Sequence, residues 1–158
     1  MTTLCTICAR ANSKGLKNKN IKLLNGIPLI GHSVIQAVKS RIFDQILISS
    51  DCKKILSIGK KYGASCLVLR PKRLSSDSSG KLAVIKHAVI EAEKKLDDKF
   101  DTIIDLDVTS PLRNISDIKN AYKIFKQKNK TVLISASPAK KNPYFNQVIQ
   151  TKNGVKLV

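Results

Sequence analysis

Tryptophan is absent from this chain, and aromatic residues make up only 4% of its 158 residues. Proteins that hold single-stranded nucleic acid without sequence preference stack bases on aromatic side chains, and no basic stretch interleaved with aromatics offers such a platform here. Acidic residues are also scarce, 11 against 29 basic ones, for a formal charge of +18. That excess favours polyanionic ligands and fast electrostatic capture. Its make-up argues against dedicated nucleic-acid binding. Only Arg10, Arg41, Arg70, Arg73 and Arg113 are arginines, and Lys53, Lys54, Lys60, Lys61, Lys94, Lys95, Lys119, Lys123 and Lys126 fall on predicted helix faces, where a solvated surface is the plain reading.

No apolar run approaches the ~20 residues that span a bilayer. The short apolar stretch near the start has no Lys or Arg before it and no small-residue cleavage pattern after it, so no secretory leader is expected and the cytoplasm is the expected compartment. Glycine numbers seven, and neither Gly-x-x-x-x-Gly-Lys-Ser/Thr nor Gly-x-Gly-x-x-Gly occurs. A phosphate site in this chain must therefore draw its charge from side chains. There are four cysteines. Cys5 and Cys8 have C-x-x-C spacing but lie inside a predicted strand, where three residues' separation points them to opposite faces, unsuited to zinc or redox pairing. Free, buried thiols are expected. Hydrophobic residues at 42% and a length of 158 fit one globular domain.

The apolar run Leu4–Ala9 reads as a buried strand that empties into a polar loop with Arg10, Ser13, Lys14, Gly15, Lys19 and Asn20. An Asn25-Gly26 turn and Pro28 lead into a helix over about 29–39, with Ile30, Val34, Ala37 and Val38 on one face. A second strand covers 45–49. Asp51 is the expected N-cap of a helix over 52–62 that stops at Gly63, and 66–69 is a short third strand. Residues 70–80 form a polar connection long enough to suggest function. The 3-4-3-4 spacing of Leu82, Ile85, Val89, Ala92 and Leu96 predicts a helix with that stripe inward. A fourth strand is expected at 102–106, a helix capped by Ser116 with Ile118, Ala121, Tyr122 and Phe125 inward, a fifth strand at 131–136, and a sixth at 146–151 turning at Asn153-Gly154.

Strands alternating with helices predict a three-layer α/β/α sandwich on a mostly parallel sheet, with ligands outside the carboxyl ends of the strands. Three distant loops, 10–20, 70–80 and 107–113, then meet on one edge. They bring Arg10, Lys14, Lys19, Arg70 and Arg113 as cations, with Asp77, Asp105 and Asp107 as carboxylates. Such a set suits phosphate binding, with acids available for a metal. Asp105 and Asp107, at i and i+2 near a strand end, share one face and are the candidate metal ligands, while Asp105 reads at least as well as a polar residue at a sheet end. Taken singly, Arg70 and Arg113 read equally well as loop-pinning groups.

The segment Ala9-Arg10-Ala11-Asn12-Ser13-Lys14-Gly15-Leu16 with Lys19-Asn20 resembles the nucleotide-binding signature of the acylneuraminate cytidylyltransferases, the CMP-sialic acid synthetases, relatives of the CMP-Kdo synthetases. Phe43 to Asp51, Leu69-Arg70-Pro71 with Leu74 to Asp77, and Thr109-Ser110-Pro111-Leu112-Arg113 fall in register with that family's later motifs. The resemblance implies a Rossmann-like nucleotidyltransferase fold and transfer of CMP from CTP to the anomeric hydroxyl of a nine-carbon acidic sugar, releasing pyrophosphate with Mg2+. It implies that Arg10 and Lys19 act at the CTP phosphates, that Ser13, Lys14, Asn20, Arg70, Asp77 and Ser79 bind the nucleotide, and that Asp107, Thr109, Ser110 and Arg113 shape the sugar side. Departures are Cys8 and Lys17 in place of prolines, Asp107-Val108 for the more frequent Gln-Pro, and Lys81 where a small polar residue is common. Asn142-Pro143-Tyr144-Phe145-Asn146 looks like the legionaminic-acid branch. The resemblance also implies a homodimer and a longer chain, with a dimerisation segment and a late Asp-x-Asp metal pair after position 158. Two other readings stand beside it: a nucleotide-sugar glycosyltransferase using Asp105 and Asp107 as a metal pair, and a non-catalytic basic module.

Overall fold

In the computed structural model, the chain is described at residues 2–11, 13, 15–76, 79–128, 131–136, 148–151 and 154–157. It forms two compact units, 1–122 and 123–158. The first is built on a four-stranded sheet. The strand β1 (Thr3–Cys8) is followed by a minimal hairpin of β2 (Leu23–Leu24) and β3 (Ile27–Pro28), and then by α1 (Leu29–Ser40). Next come β4 (Gln45–Ser50), α2 (Lys53–Lys61), β5 (Cys66–Leu69), α3 (Lys81–Leu96), β6 (Thr102–Asp105) and α4 (Ile115–Lys128). The sheet order is β5-β4-β1-β6, and every pairing in it is parallel. The expected alternation and mostly parallel sheet are therefore present.

The strand period of two sorts β1 into two cores. Cys5 and Ile7 join Ile46 and Ile48 of β4 under Ile30, Val34 and Ala37 of α1 and Ile55 and Leu56 of α2, with Ile118 of α4 on the same side. Leu4 joins Leu47, Cys66 and Val68 under Ala88 and Ala92 of α3. Helices thus cover both faces, giving the three layers. Because β1 is covered on both sides, it reads as a continuous apolar run, as interior parallel strands do. Asn25 and Gly26, both at positive φ (48° and 77°), make the turn between β2 and β3 that the Asn-Gly pair predicted. Gly63 at φ 111° ends α2 as expected.

Several local expectations are corrected. Asp51 does not cap α2: Cys52 is the N-cap residue, without a side-chain hydrogen bond, and Asp51 Oδ1 instead accepts from the Ala11 amide at 2.8 Å. Val38 is 45% exposed, off the buried face of α1. Leu82 is 79% exposed, and the buried line of α3 is Val84, Ala88 and Ala92, with Val89 and Leu96 at its flank. Ala88 and Ala92 are fully buried against the sheet, where short side chains allow a close approach of the helix. Residues 70–80 are less irregular than expected, since Lys72–Leu74 forms a 3-10 turn. Ser116 lies inside α4, and the Asn114 amide donates to Asp117 Oδ2 at 2.9 Å at that helix start. The second unit contains β7 (Val148–Thr151) paired antiparallel with β8 (Gly154–Leu157), the predicted hairpin, with Asn153 outside the described residues. Residues 131–136 are not a strand: no described residue pairs with them, and Val132 and Ile134 are 75% and 82% exposed. A β-forming composition makes a strand only where a neighbouring edge accepts its hydrogen bonds. The segment 142–146 lies outside the described residues.

Two predictions follow from the core. A Cβ built on Gly59 of α2 runs into Cδ1 of the fully buried Ile48. Gly59→Val should therefore destabilise the fold by about 2 kcal/mol, overpacking outweighing the gain in helix propensity, and a urea denaturation midpoint will read the loss. Burial, with Asp105 nearby, pushes the Cys8 thiol from 9.0 up to about 12. Its neutral form thus favours the folded state below pH 9.0, and that contribution is lost as pH climbs towards 12. Iodoacetamide at pH 8 should leave Cys5 and Cys8 unmodified in the native protein and label both in urea, as read by peptide mass.

Candidate active site

Parallel pairing puts the carboxyl ends of β1, β4, β5 and β6 on one edge. The chain steps outward from β1 through β4 to β5, then returns to place β6 on the other side of β1. This reversal puts the switch point between the ends of β1 and β6, and it is at such a point that open α/β sheets form the crevice that binds ligands. Residues after Cys8 and residues 105–107 flank it.

The loop after β1 is tied down at three points. The Ala9 amide extends the ladder to the Ser49 carbonyl at 3.0 Å, the Ala11 amide meets Asp51, and the Asn20 side-chain amide donates to the Arg10 carbonyl at 2.8 Å. Asn20, only 7% exposed, thus fixes the backbone that carries Arg10. Lys19 opens a 3-10 turn (Lys19–Ile21), its amide donating to the Leu16 carbonyl at 3.1 Å. Ser13 is half-buried, and Lys14 lies outside the described residues.

Arg70 directly follows β5. Its amide donates to the Ser50 carbonyl at 2.8 Å and its Nε to Ser75 Oγ at 3.2 Å, and the residue is 6% exposed. Burial lowers the pKa of this guanidinium. Cys8 and Asp51 raise it, and Arg10 pushes the same way as burial. Arg70 and Arg10, 60 positions apart in the sequence, are therefore close enough at the strand ends to feel each other's charge. Two guanidinium forks so placed are suited to an anion that bridges them. Asp77 lies outside the described residues. Ser79 turns back into its own loop, its hydroxyl donating to the Arg73 carbonyl at 3.1 Å and lying 2.7 Å from Ser76 Oγ.

The 107–113 loop is held from α1, a support the sequence did not reveal. Gln36 Nε2 donates to the carbonyls of Pro111 at 2.7 Å and Arg113 at 2.8 Å, and Ser33 Oγ reaches the Asp107 carbonyl at 3.4 Å. Arg113 donates to Gln36 Oε1 at 3.1 Å and to the Asp107 carbonyl at 3.0 Å, so its fork shapes the loop from within. Thr109 and Ser110 are left exposed at the tip.

Asp105 and Asp107, expected as a metal pair, are bridged by an ammonium. Lys81 Nζ lies 2.8 Å from Asp105 Oδ2 and 2.7 Å from Asp107 Oδ1, and Thr6 Oγ1 donates to Asp105 Oδ1 at 2.8 Å. Burial pulls the Lys81 pKa down, but hydrogen bonds and charge from the two carboxylates outweigh it and the pKa is raised. Among the described residues no group of three His, Cys, Asp or Glu side chains could hold a metal ion. Mg2+ does not fit this pair as it stands, because the ammonium already takes one oxygen of each carboxylate and Thr6 another. Sequence spacing showed the two acids sharing a face but gave no sign of a cation arriving from another element. No described helix is long and apolar enough to cross a membrane.

Residues 4–157 match the family model described as Cytidylyltransferase. The chain is 43% identical, over 96% of its length, to Post-translational flagellin modification protein B of Campylobacter coli, covering 67% of that protein. It is 46% identical, over 97% of its length, to CMP-N,N'-diacetyllegionaminic acid synthase of Campylobacter jejuni, covering 66% of it. It thus spans about two thirds of the length of these curated relatives. Among solved structures, CMP:2-keto-3-deoxy-manno-octonic acid synthetase complexed with CTP superposes with a TM-score of 0.65 at 18% identity, over 82% of this chain and 49% of that one. The 4-diphosphocytidyl-2C-methyl-D-erythritol synthase from Anaerococcus prevotii gives 0.59 at 17% identity, over 99% and 63%, so both share the fold. With the family model matched across nearly every residue, the chain belongs to the cytidylyltransferase family.

Proposed function

We propose that this chain carries the nucleotide-binding portion of an enzyme that transfers CMP from CTP to a nonulosonic acid of the legionaminic type, releasing pyrophosphate, for the activation of sugars bound for surface glycans. The observation that supports it most is the convergence of Arg10, after β1, and Arg70, after β5, at the carboxyl edge of the sheet. The substrate class is supported by the names of the relatives, one of which is a CMP-N,N'-diacetyllegionaminic acid synthase at 46% identity.

In this reading the oxygen of the sugar's anomeric hydroxyl bonds to the α-phosphorus of CTP, the bond from that phosphorus to the bridging oxygen breaks, and pyrophosphate leaves with the electron pair. The hydroxyl proton passes to solvent or to a phosphate oxygen. Little covalent work falls to the protein: it must hold the two reactants in line and neutralise charge spreading over the phosphate oxygens. Arg10 and Lys19 serve the triphosphate, with Lys14 adding charge. Ser13, Asn20, Arg70, Asp77 and Ser79 belong to the nucleotide side, where Asn20 acts by fixing the backbone at Arg10. Asp107, Thr109, Ser110 and Arg113 face the sugar, on a loop whose shape Gln36 maintains. Mg2+ bound with the nucleotide would supply further charge neutralisation. The same reading extends to a cytoplasmic homodimer of a longer chain, with the four free cysteines supporting a reducing compartment.

Pyrophosphate release tests this, using the protein extended to the length of its relatives with CTP, Mg2+ and a panel of N,N'-diacetyllegionaminic, pseudaminic and N-acetylneuraminic acids and Kdo. Release is expected with the legionaminic acid above the others, and none with any sugar would overturn the reading. Arg70→Ala should weaken CTP binding about 10- to 100-fold, the worth of one charge-assisted hydrogen-bonding group, as read by calorimetry. UTP or GTP bound as tightly as CTP would also count against it.

A further inference from the structure

We infer that Lys81 is the resident cation of the Asp105–Asp107 pair, and that the pair accepts no divalent ion while this ammonium is in place. The geometry carries the inference. One ammonium meets one oxygen of each carboxylate at 2.8 and 2.7 Å, and the remaining oxygen of Asp105 is taken by Thr6 at 2.8 Å. The three groups come from separate elements: Lys81 opens α3, Thr6 lies on β1, and Asp105 ends β6. A magnesium ion demands near-octahedral oxygen ligands at about 2.0–2.1 Å, so it would have to enter the space that Nζ fills.

A second observation is independent of those distances. Lys81 is the first residue of a 16-residue helix with no acidic residue in its first turn and no side-chain cap. A cation there faces the positive end of the helix dipole, an unfavourable place for it. Asp105 and Asp107 supply the missing negative charge from across the sheet edge. A residue that breaks a local rule and is compensated from another element is often tied to a site. Here the compensation joins the end of the 70–80 connection to the start of the 107–113 loop, the two segments expected on the nucleotide and sugar sides.

The inference does not depend on the transfer reaction, so its test reads metal binding directly. Mn2+ is titrated into the nucleotide-free protein, and free Mn2+ is followed by electron paramagnetic resonance. Wild type and Asp107→Asn should give superimposable curves, because the pair contributes no site. Lys81→Met should gain one Mn2+ site at least 10-fold tighter than any in wild type, and adding Asp107→Asn to it should abolish that site. Circular dichroism checks that each variant is folded. A wild-type site weakened by Asp107→Asn would overturn the inference, as would a folded Lys81→Met variant with no gain. If Lys81→Met does not fold, the comparison of wild type with Asp107→Asn still decides the matter.

Discussion

The two-sided parallel pairing of β1 is the constraint on which the rest depends. Thr6 sits opposite Leu47 on one side and Asp105 on the other. That register fixes where β4 and β6 end, and thus where Asp51 and Asp107 enter the loops. It also fixes the contact between the Thr6 hydroxyl and Asp105. Slipping one strand by a single residue would exchange its two faces, putting Leu4 where Cys5 packs and moving the Thr6 hydroxyl to the face away from Asp105. Both hydrophobic cores oppose such a slip, since each draws alternate residues from the same strand. The placement of charged groups at the edge is a consequence of apolar packing below it.

Much of this was legible from local pattern. The strand at Cys66–Leu69 and the turns at Gly26 and Gly63 appear where spacing and glycine placed them. What local pattern missed was competition between partners. Asp51 has the chemistry of a helix cap, but the Ala11 amide, 40 positions away, takes its carboxylate. The 3-4-3-4 spacing in α3 correctly announced a helix yet favoured the face with the largest side chains, when close approach to the sheet selects Ala88 and Ala92. The apolar stretch 131–136 has strand composition without a pairing edge among the described residues.

The candidate site was legible in a similar, uneven way. Strand ends and loop composition marked Arg10 and Arg70, and the fold brings them into electrostatic reach. Roles that lie in backbone support were invisible: Asn20 holding the Arg10 carbonyl and Gln36 holding two carbonyls of the 107–113 loop are polar side chains whose partners the sequence does not name. Arg113, for which loop-pinning and ligand contact were equally good readings, does pin its loop. That does not remove it from the sugar side, because a guanidinium has five donors and the loop engages only some of them.

Net charge is a poor guide to how charge is used here. The formal +18 suggests a surface that attracts polyanions in general, yet many of the lysines that produce it stand on solvated helix faces, where salt screens them beyond about 10 Å. The cations that can discriminate are few and placed by the fold. Arg10 and Arg70 act as a pair because strand ends converge, and Arg70 is largely removed from water. Lys81 is neutralised by two carboxylates, so it adds nothing to long-range attraction while setting the charge next to the crevice. Charge at this edge is therefore uneven, with two guanidinium groups near the ends of β1 and β5 and a lysine held between two carboxylates beside β6.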